Sequence, residues 1–195
     1  LTRAPNMTIV MVAENYTFLT NGTAISAYRF AQTLRERGHT VRIVGVDVRG
    51  ANMFAVPERR IPMVTRIARR QSIVFGKPDA AVLRRAMAGA DVVYCLMPWA
   101  LSRHSGKIAQ RLNIPCTAAF HVQPENITYG VGLGRLGAPV AGLLYRFFRR
   151  RFFRHTAHIH CPSDFIAGEL QRYRYRSRLH VFSNGVEPAF HPAGS

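Results

Sequence analysis

The chain has 195 residues, 48% of them hydrophobic and 19% charged, enough to bury a core and too apolar for a disordered segment. Its 27 Lys and Arg against 10 Asp and Glu leave a net charge of +17. That balance excludes a polycationic partner and points to a polyanionic one: a phosphorylated ligand, nucleic acid or an anionic membrane surface. A codon bias toward Arg explains the preference for Arg over Lys, but not the scarcity of acids.

Strand and helix signals alternate along the chain. Thr8 to Ala13 is a short β-branched run, as expected of a strand buried on both faces. A Gly-containing loop, Glu14 to Thr23, leads into a helix whose face carries Ala24, Ala27, Tyr28, Ala31 and Leu34. Gly38 suits its C-cap. Val41 to Val46 is the next strand. Met53 to Val64, broken by Pro57 and Pro62, reads as irregular with at most one short strand. Pro78 to Ala88 reads as a helix and Asp91 to Met97 as a strand. Leu101, His104, Ile108 and Leu112 stripe another helix, and Pro115 to Val122 is a strand. A long helix, Pro139 to His155, precedes a strand at Ala157 to Cys161. Ser163 is placed to N-cap a helix carrying Ile166, Leu170 and Tyr173, and Leu179 to Ser183 closes the series. The repetition predicts a doubly wound, mostly parallel α/β sheet with helices on both faces, Rossmann-like. In such sheets ligands bind at the carboxyl ends of the strands. Asn184-Gly185, Pro188 and Pro192 read as a turn and an extended connector. The expected division is a domain over 1–186 and a linker over 187–195 toward a second domain.

Cys95, Cys116 and Cys161 lack metal spacing and sit in apolar runs, so reduced, buried thiols of a cytosolic protein are expected. No signal peptide is read, and the apolar run Leu136 to Tyr145 is shorter than the roughly 18–20 residues a bilayer requires. His155, His158 and His160 resemble a metal cluster at first, but no carboxylate or Cys completes it.

Three groups carry candidate chemistry. Asn21-Gly22-Thr23 sits at a helix N-terminus, where backbone N–H groups and the helix dipole favour a phosphate; an Asn N-cap followed by a permissive Gly would look the same. His121 with Gln123, Glu125 and Asn126 lies at a strand's carboxyl end and suits a hydroxyl-rich ligand; alone, such a His is more often structural. The helix 139–155 carries Arg146, Arg149, Arg150 and Arg154 opposite Ala141, Leu144, Tyr145, Phe148 and Phe152. Its basic side is expected to meet anions or a membrane surface, or simply water. Gly132-Leu-Gly134-Arg-Leu-Gly137 matches a dinucleotide fingerprint literally. It follows no strand and lacks the later acid, so a flexible loop is expected there.

Taken in order, Asn21-Gly-Thr-Ala-Ile-Ser26, Leu34-Arg-Glu-Arg-Gly-His-Thr-Val41, Asp91-Val-Val-Tyr94, Met97-Pro98, Ile114-Pro115 to His121, Cys161-Pro-Ser-Asp164 and Ser183-Asn-Gly-Val186 resemble the N-terminal domain of a GT-B, family 4 retaining glycosyltransferase. Many members have Gly-Gly where this chain has Asn21-Gly22. The resemblance implies a nucleotide-sugar co-substrate, UDP- or GDP-linked, with no obligatory metal or other cofactor. It implies that His121 is the active-site histidine and that Asn21, Gly22 and Thr23 approach the donor's phosphates. Acceptor contacts are assigned to Glu14, Asn15, Gln123, Glu125 and Asn126. The acceptor is expected to be a lipid or glycan, the location cytoplasmic and peripheral to the inner membrane face. A fragment without its C-terminal partner domain is expected to be inactive. The competing reading is a basic, non-catalytic module for nucleic acid or anionic lipid; no nucleic-acid-binding motif supports a specific nucleic acid partner.

Overall fold

The computed structural model describes residues 5–185 apart from 63, 71 and 131. The expected boundary at 186 and the linker 187–195 lie outside the described residues, as does the side chain of His155. Seven strands form one sheet: β1 (Thr8–Val12), β2 (Thr40–Val46), β3 (Met53–Val56), β4 (Val92–Cys95), β5 (Cys116–Ala119), β6 (His158–Cys161) and β7 (Arg178–Val181). Their order is β3-β2-β1-β4-β5-β6-β7 and every pair is parallel. The helices are α1 (Gly22–Glu36), α2 (Val64–Arg70), α3 (Ala80–Met87), α4 (Ala100–Arg111), α5 (Pro124–Gly130), α6 (Gly137–Arg151) and α7 (Asp164–Arg172).

The caps follow from the residues that precede each helix. Asn21 Oδ1 accepts the Thr23 N–H at 2.9 Å, Asp79 Oδ1 those of Ala81 and Val82, and Ser163 Oγ that of Ile166. Gly38 ends α1 at φ 90°. The helical faces read from the sequence are buried at Ala24, Ala27 and Ala31 and at Leu101 and Ile108, whereas Tyr28 and Leu112 are exposed. Right-handed crossovers put α1 on one face and α3, α4, α6 and α7 on the other.

Two stretches differ from the sequence expectation. β2 and β3 are parallel neighbours joined by residues 47–52 alone, where a parallel connection ordinarily takes a dozen or more. The reversal depends on left-handed backbone at Asp47, Gly50 and Asn52, with φ of 55°, 119° and 60°; Asp and Asn are the side chains that tolerate it. The segment 132–137, expected to be a flexible loop, contains a 3₁₀ turn (Gly134–Leu136) and the start of α6, and the residues before it form α5, which the sequence did not announce. Its glycines serve turns: Gly132 and Gly134 have φ of 72° and 48°.

The core lies between the sheet and its helices, with Met11, Ile43, Leu83, Met87, Leu101, Ile159 and Leu170 fully buried. Burying each such side chain contributes about 1.5–3 kcal/mol. A second, aromatic centre supports the end of β5. Phe120 stacks on Tyr145 with centroids 5.8 Å apart and meets Tyr175 edge-on at 6.0 Å.

At Gly45 of β2 a Cβ would lie 2.5 Å from the carbonyl oxygen of Ala13, the residue after β1. Gly45→Ala is therefore expected to destabilise by about 1–3 kcal/mol through overpacking. Gly22→Ala, where a Cβ would meet nothing within 4 Å, is expected to leave the thermal midpoint unchanged. Thermal unfolding of both variants checks this, and an unchanged Gly45→Ala midpoint would contradict the packing.

Candidate functional site

The strand order reverses between β1, whose next strand pairs on one side, and β4, whose next strand pairs on the other. The loops leaving β1 and β4 diverge there and open a crevice at the sheet's carboxyl edge.

The loop after β1 turns inward. Glu14 is 1% exposed and Asn15 3%. A Glu14 carboxylate oxygen accepts the Gly76 N–H at 3.2 Å, and Asn15 Oδ1 accepts the Val74 N–H at 3.0 Å. Burial pushes the Glu14 carboxyl up to about 8, with backbone N–H groups of Gly76 and Leu101 opposing part of the rise. Glu14 is thus protonated at neutral pH. Both side chains bind residues 74–76 into the fold, while Glu14 Oε2 and Asn15 Nδ2 are left without a partner. Their partners lie 59 and 62 residues away in the chain, so no local pattern reveals them.

Asn21, Gly22 and Thr23 do stand at the N-terminus of α1. Asn21 is the cap, Gly22 is exposed, and Thr23 lines a narrow cleft with Glu14, Tyr16 and Met97. Past β5, Phe120 is anchored by its ring stack and by donating its N–H to the His160 carbonyl at 2.9 Å. That anchor fixes His121. Its ring meets His160 edge-on at 5.6 Å, and its Nε2 is buried with no hydrogen-bond partner. Burial, reinforced by His160, lowers the His121 pKa to about 4. The imidazole is neutral at physiological pH, a hydrogen-bonding group rather than a cation.

His160 holds this arrangement from below. Its Nε2 lies 2.8 Å from the Phe182 carbonyl oxygen and its Nδ1 3.2 Å from the Tyr94 hydroxyl, while its ring stacks on Phe182 at 3.9 Å. A carbonyl only accepts, so Nε2 carries the proton and Nδ1 accepts from Tyr94. The sequence reading considered His160 only as a metal ligand and missed this role. His158, two residues earlier on the same face of β6, lies with its Nδ1 2.9 Å from His180 Nε2.

The remaining expected residues divide. Gln123 is half-buried and Asn126 exposed. Glu125 accepts the Tyr145 hydroxyl at 3.1 Å, which joins α5 to the aromatic centre. Among the arginines, Arg149 donates to the Tyr173 carbonyl at 2.6 Å. There it caps the end of α7, a favourable place for a cation. Arg146, Arg150 and Arg154 are exposed. Cys95 and Cys116, read as unrelated thiols, lie with sulfurs 4.0 Å apart on adjacent strands.

Among the described residues, seven buried side-chain polar atoms have no partner: Glu14 Oε2, Asn15 Nδ2, Tyr16 OH, Trp99 Nε1, Ser102 Oγ, His121 Nε2 and Asn184 Oδ1. All belong to segments that follow the carboxyl ends of β1, β4, β5 and β7. Each such atom costs about 1–3 kcal/mol; Ser102 Oγ lies within α4, and the other six follow strand ends at the sheet's carboxyl edge.

The family model for Glycosyltransferase Family 4 matches residues 20–190. The chain is 23% identical over 185 residues to an alpha-monoglucosyldiacylglycerol synthase of Streptococcus pneumoniae, covering 94% of this chain and 41% of that protein. It is 26% identical over 198 residues to a GDP-mannose-dependent alpha-mannosyltransferase of Mycolicibacterium smegmatis, covering 93% and 48%. The fold resembles that of Anabaena HepE, crystallised with UDP-glucose, with a TM-score of 0.59 and 11% identity over 93% of this chain and 45% of that one. The chain thus spans about half the length of the proteins it matches.

The two buried titrating groups predict opposite pH effects. A carboxyl raised from 4.5 to about 8 gives stability that is present below 4.5 and lost as pH rises through 8. A histidine lowered from 6.5 to about 4 gives stability that is present above 6.5 and lost as pH falls through 4. Glu14→Gln is expected to flatten the alkaline loss, which reaches about 1.4 kcal/mol per pH unit. Parallel melting curves for Glu14→Gln and the parent chain from pH 5 to 8 would show that Glu14 is ionised.

Proposed function

The chain belongs to Glycosyltransferase Family 4, and on that premise we propose that it is the N-terminal, acceptor-side domain of a two-domain retaining enzyme. The enzyme moves a sugar from a nucleotide sugar to a hydroxyl acceptor. The observation that carries this reading is the neutral His121, its Nε2 buried and unpartnered, just past the carboxyl end of β5 on the sheet edge that also carries the capped N-terminus of α1. A neutral imidazole can hydrogen-bond a sugar hydroxyl without adding positive charge next to a developing oxocarbenium ion. The N–H groups and dipole at the start of α1 favour the departing diphosphate. Retaining transfer on this scheme relies on positioning and on stabilising the leaving group. A second domain supplies the other wall of the cleft, so this chain alone is inactive.

The acceptor in this proposal is lipid-linked, and the protein sits at the cytoplasmic face of the membrane. Two observations support it: the Streptococcus relative is an alpha-monoglucosyldiacylglycerol synthase, and the outer face of α6 is apolar. Among the described residues no helix is long and apolar enough to cross a membrane. Leu136, Leu143 and Phe147 are 66%, 59% and 48% exposed, and their spacing puts them on one helical face. Exposed Arg146, one turn from Leu143, borders that face, as in a helix lying at a lipid interface.

In the full-length protein, assayed with a panel of UDP- and GDP-sugars, His121→Ala is expected to lower kcat/KM about 10²–10³-fold, the scale of one lost transition-state hydrogen bond. Gly22→Ala, which leaves folding intact, is expected to raise KM for the donor. An unchanged kcat/KM for His121→Ala would remove its role. Separately, Leu143→Asp with Phe147→Asp is expected to abolish sedimentation with phosphatidylglycerol vesicles; retained binding would rule out α6 as the membrane face.

A further inference from the structure

A cavity of about 250 Å³ lies between α4 and the end of α6. Its floor is apolar, formed by Cys95 and Cys116 of the sheet with Phe153. Its rim is cationic. Arg103 and Lys107 stand one turn apart on α4, and Arg150, Arg151 and Arg154 face them. No acidic side chain lines it. Among the described residues none of the five cations takes part in an ion pair. Like charges gathered round one concavity repel one another, and an anion between them relieves that repulsion.

A second, independent feature points into the same space. Ser102 also lines the cavity; it is 7% exposed, and its Oγ is buried with no hydrogen-bond partner. Other hydroxyls in buried helical turns here are satisfied internally, as Ser105 Oγ is by the Leu101 carbonyl at 2.9 Å. A buried hydroxyl donor beneath a ring of guanidinium groups is the donor set of a phosphate site. Arginine forks bind two phosphate oxygens at once, and the hydroxyl binds a third.

We propose that this cavity binds a phosphate group, either of a soluble diphosphate or of a phospholipid headgroup. Arg103 and Arg151 clamp it from opposite walls, and Ser102 donates from below. The apolar floor accepts the carbon portion next to the phosphate. The site needs no catalysis and no second domain, so it stands or falls apart from the glycosyltransferase reading.

The test is calorimetric titration of the chain with inorganic pyrophosphate at 0.15 M salt, alongside sedimentation with phosphatidylcholine vesicles containing phosphatidylglycerol. Saturable binding of either probe is expected. It should weaken at least tenfold in Arg103→Ala with Arg151→Ala, weaken several-fold in Ser102→Ala, and survive the control Arg84→Ala with Arg85→Ala on α3. Pyrophosphate binding identifies a soluble diphosphate site; vesicle binding alone, lost in the cavity variants, identifies a headgroup site. Absence of binding to both probes overturns the proposal. Equal losses in control and cavity variants also overturn it, as does vesicle binding lost only with Leu143→Asp and Phe147→Asp.

Discussion

Parallel pairing obliges each strand to be followed by a return path, because the next strand must start at the same edge. With seven strands all parallel, every carboxyl end reaches one edge and every following loop is gathered there. The helices that make the return then cover the sheet, so the interior can be apolar throughout. Ala13 to Tyr16, Leu96 to Trp99, His121 and Asn184 reach a common rim although they are spread over most of the chain. The reversal of strand order between β1 and β4 parts the rim into a crevice. The direction of the sheet brings these segments to one rim, and individual contacts such as the Phe120–Tyr145 stack then orient them.

That edge carries polar groups that the core elsewhere avoids. Glu14 and Asn15 are buried like core residues but retain one unpartnered atom each. Glu14 is held neutral by burial, and so is His121. An environment that suppresses charge on both an acid and a base is dry and only partly hydrogen-bonded. Such a site strengthens any hydrogen bond offered to a ligand, because the competing water is absent. The aromatic centre of Phe120, Tyr145, Tyr175 and Phe153 gives it rigidity. His160 adds a second support by stacking on Phe182 and engaging Tyr94.

The positive charge is distributed by function of position rather than spread evenly. Arg149 closes the end of α7 and Arg42 donates to the carbonyls of Ala86 and Ala88 at the end of α3, so part of the excess is structural. Arg69 is paired with Glu58. Among the described residues Arg103, Lys107, Arg150, Arg151 and Arg154 take part in no ion pair, and all five line one concavity. Charge counting could say that an anionic partner was needed, but not that these five side chains, drawn from two helices, would share a space.

Most of the architecture was legible in the sequence. β-branched runs, helical stripes at 3.6-residue spacing, and caps at Asn21, Ser163 and Gly38 are local signals, and local geometry obeys them. The tight crossover at 47–52 and helix α5 were not legible, since left-handed Asp and Asn and a short polar helix leave no periodic trace. The position of His121 just past a strand was legible. His160, the inward turn of Glu14 and Asn15, and the contact of Cys95 with Cys116 were not. The sequence by itself determined the order and kind of the elements, because those depend on neighbours within a few residues. Only the tertiary structure decided which polar atoms are buried, neutral and unpartnered, because burial and pairing are set by chain segments tens of residues apart meeting across the sheet.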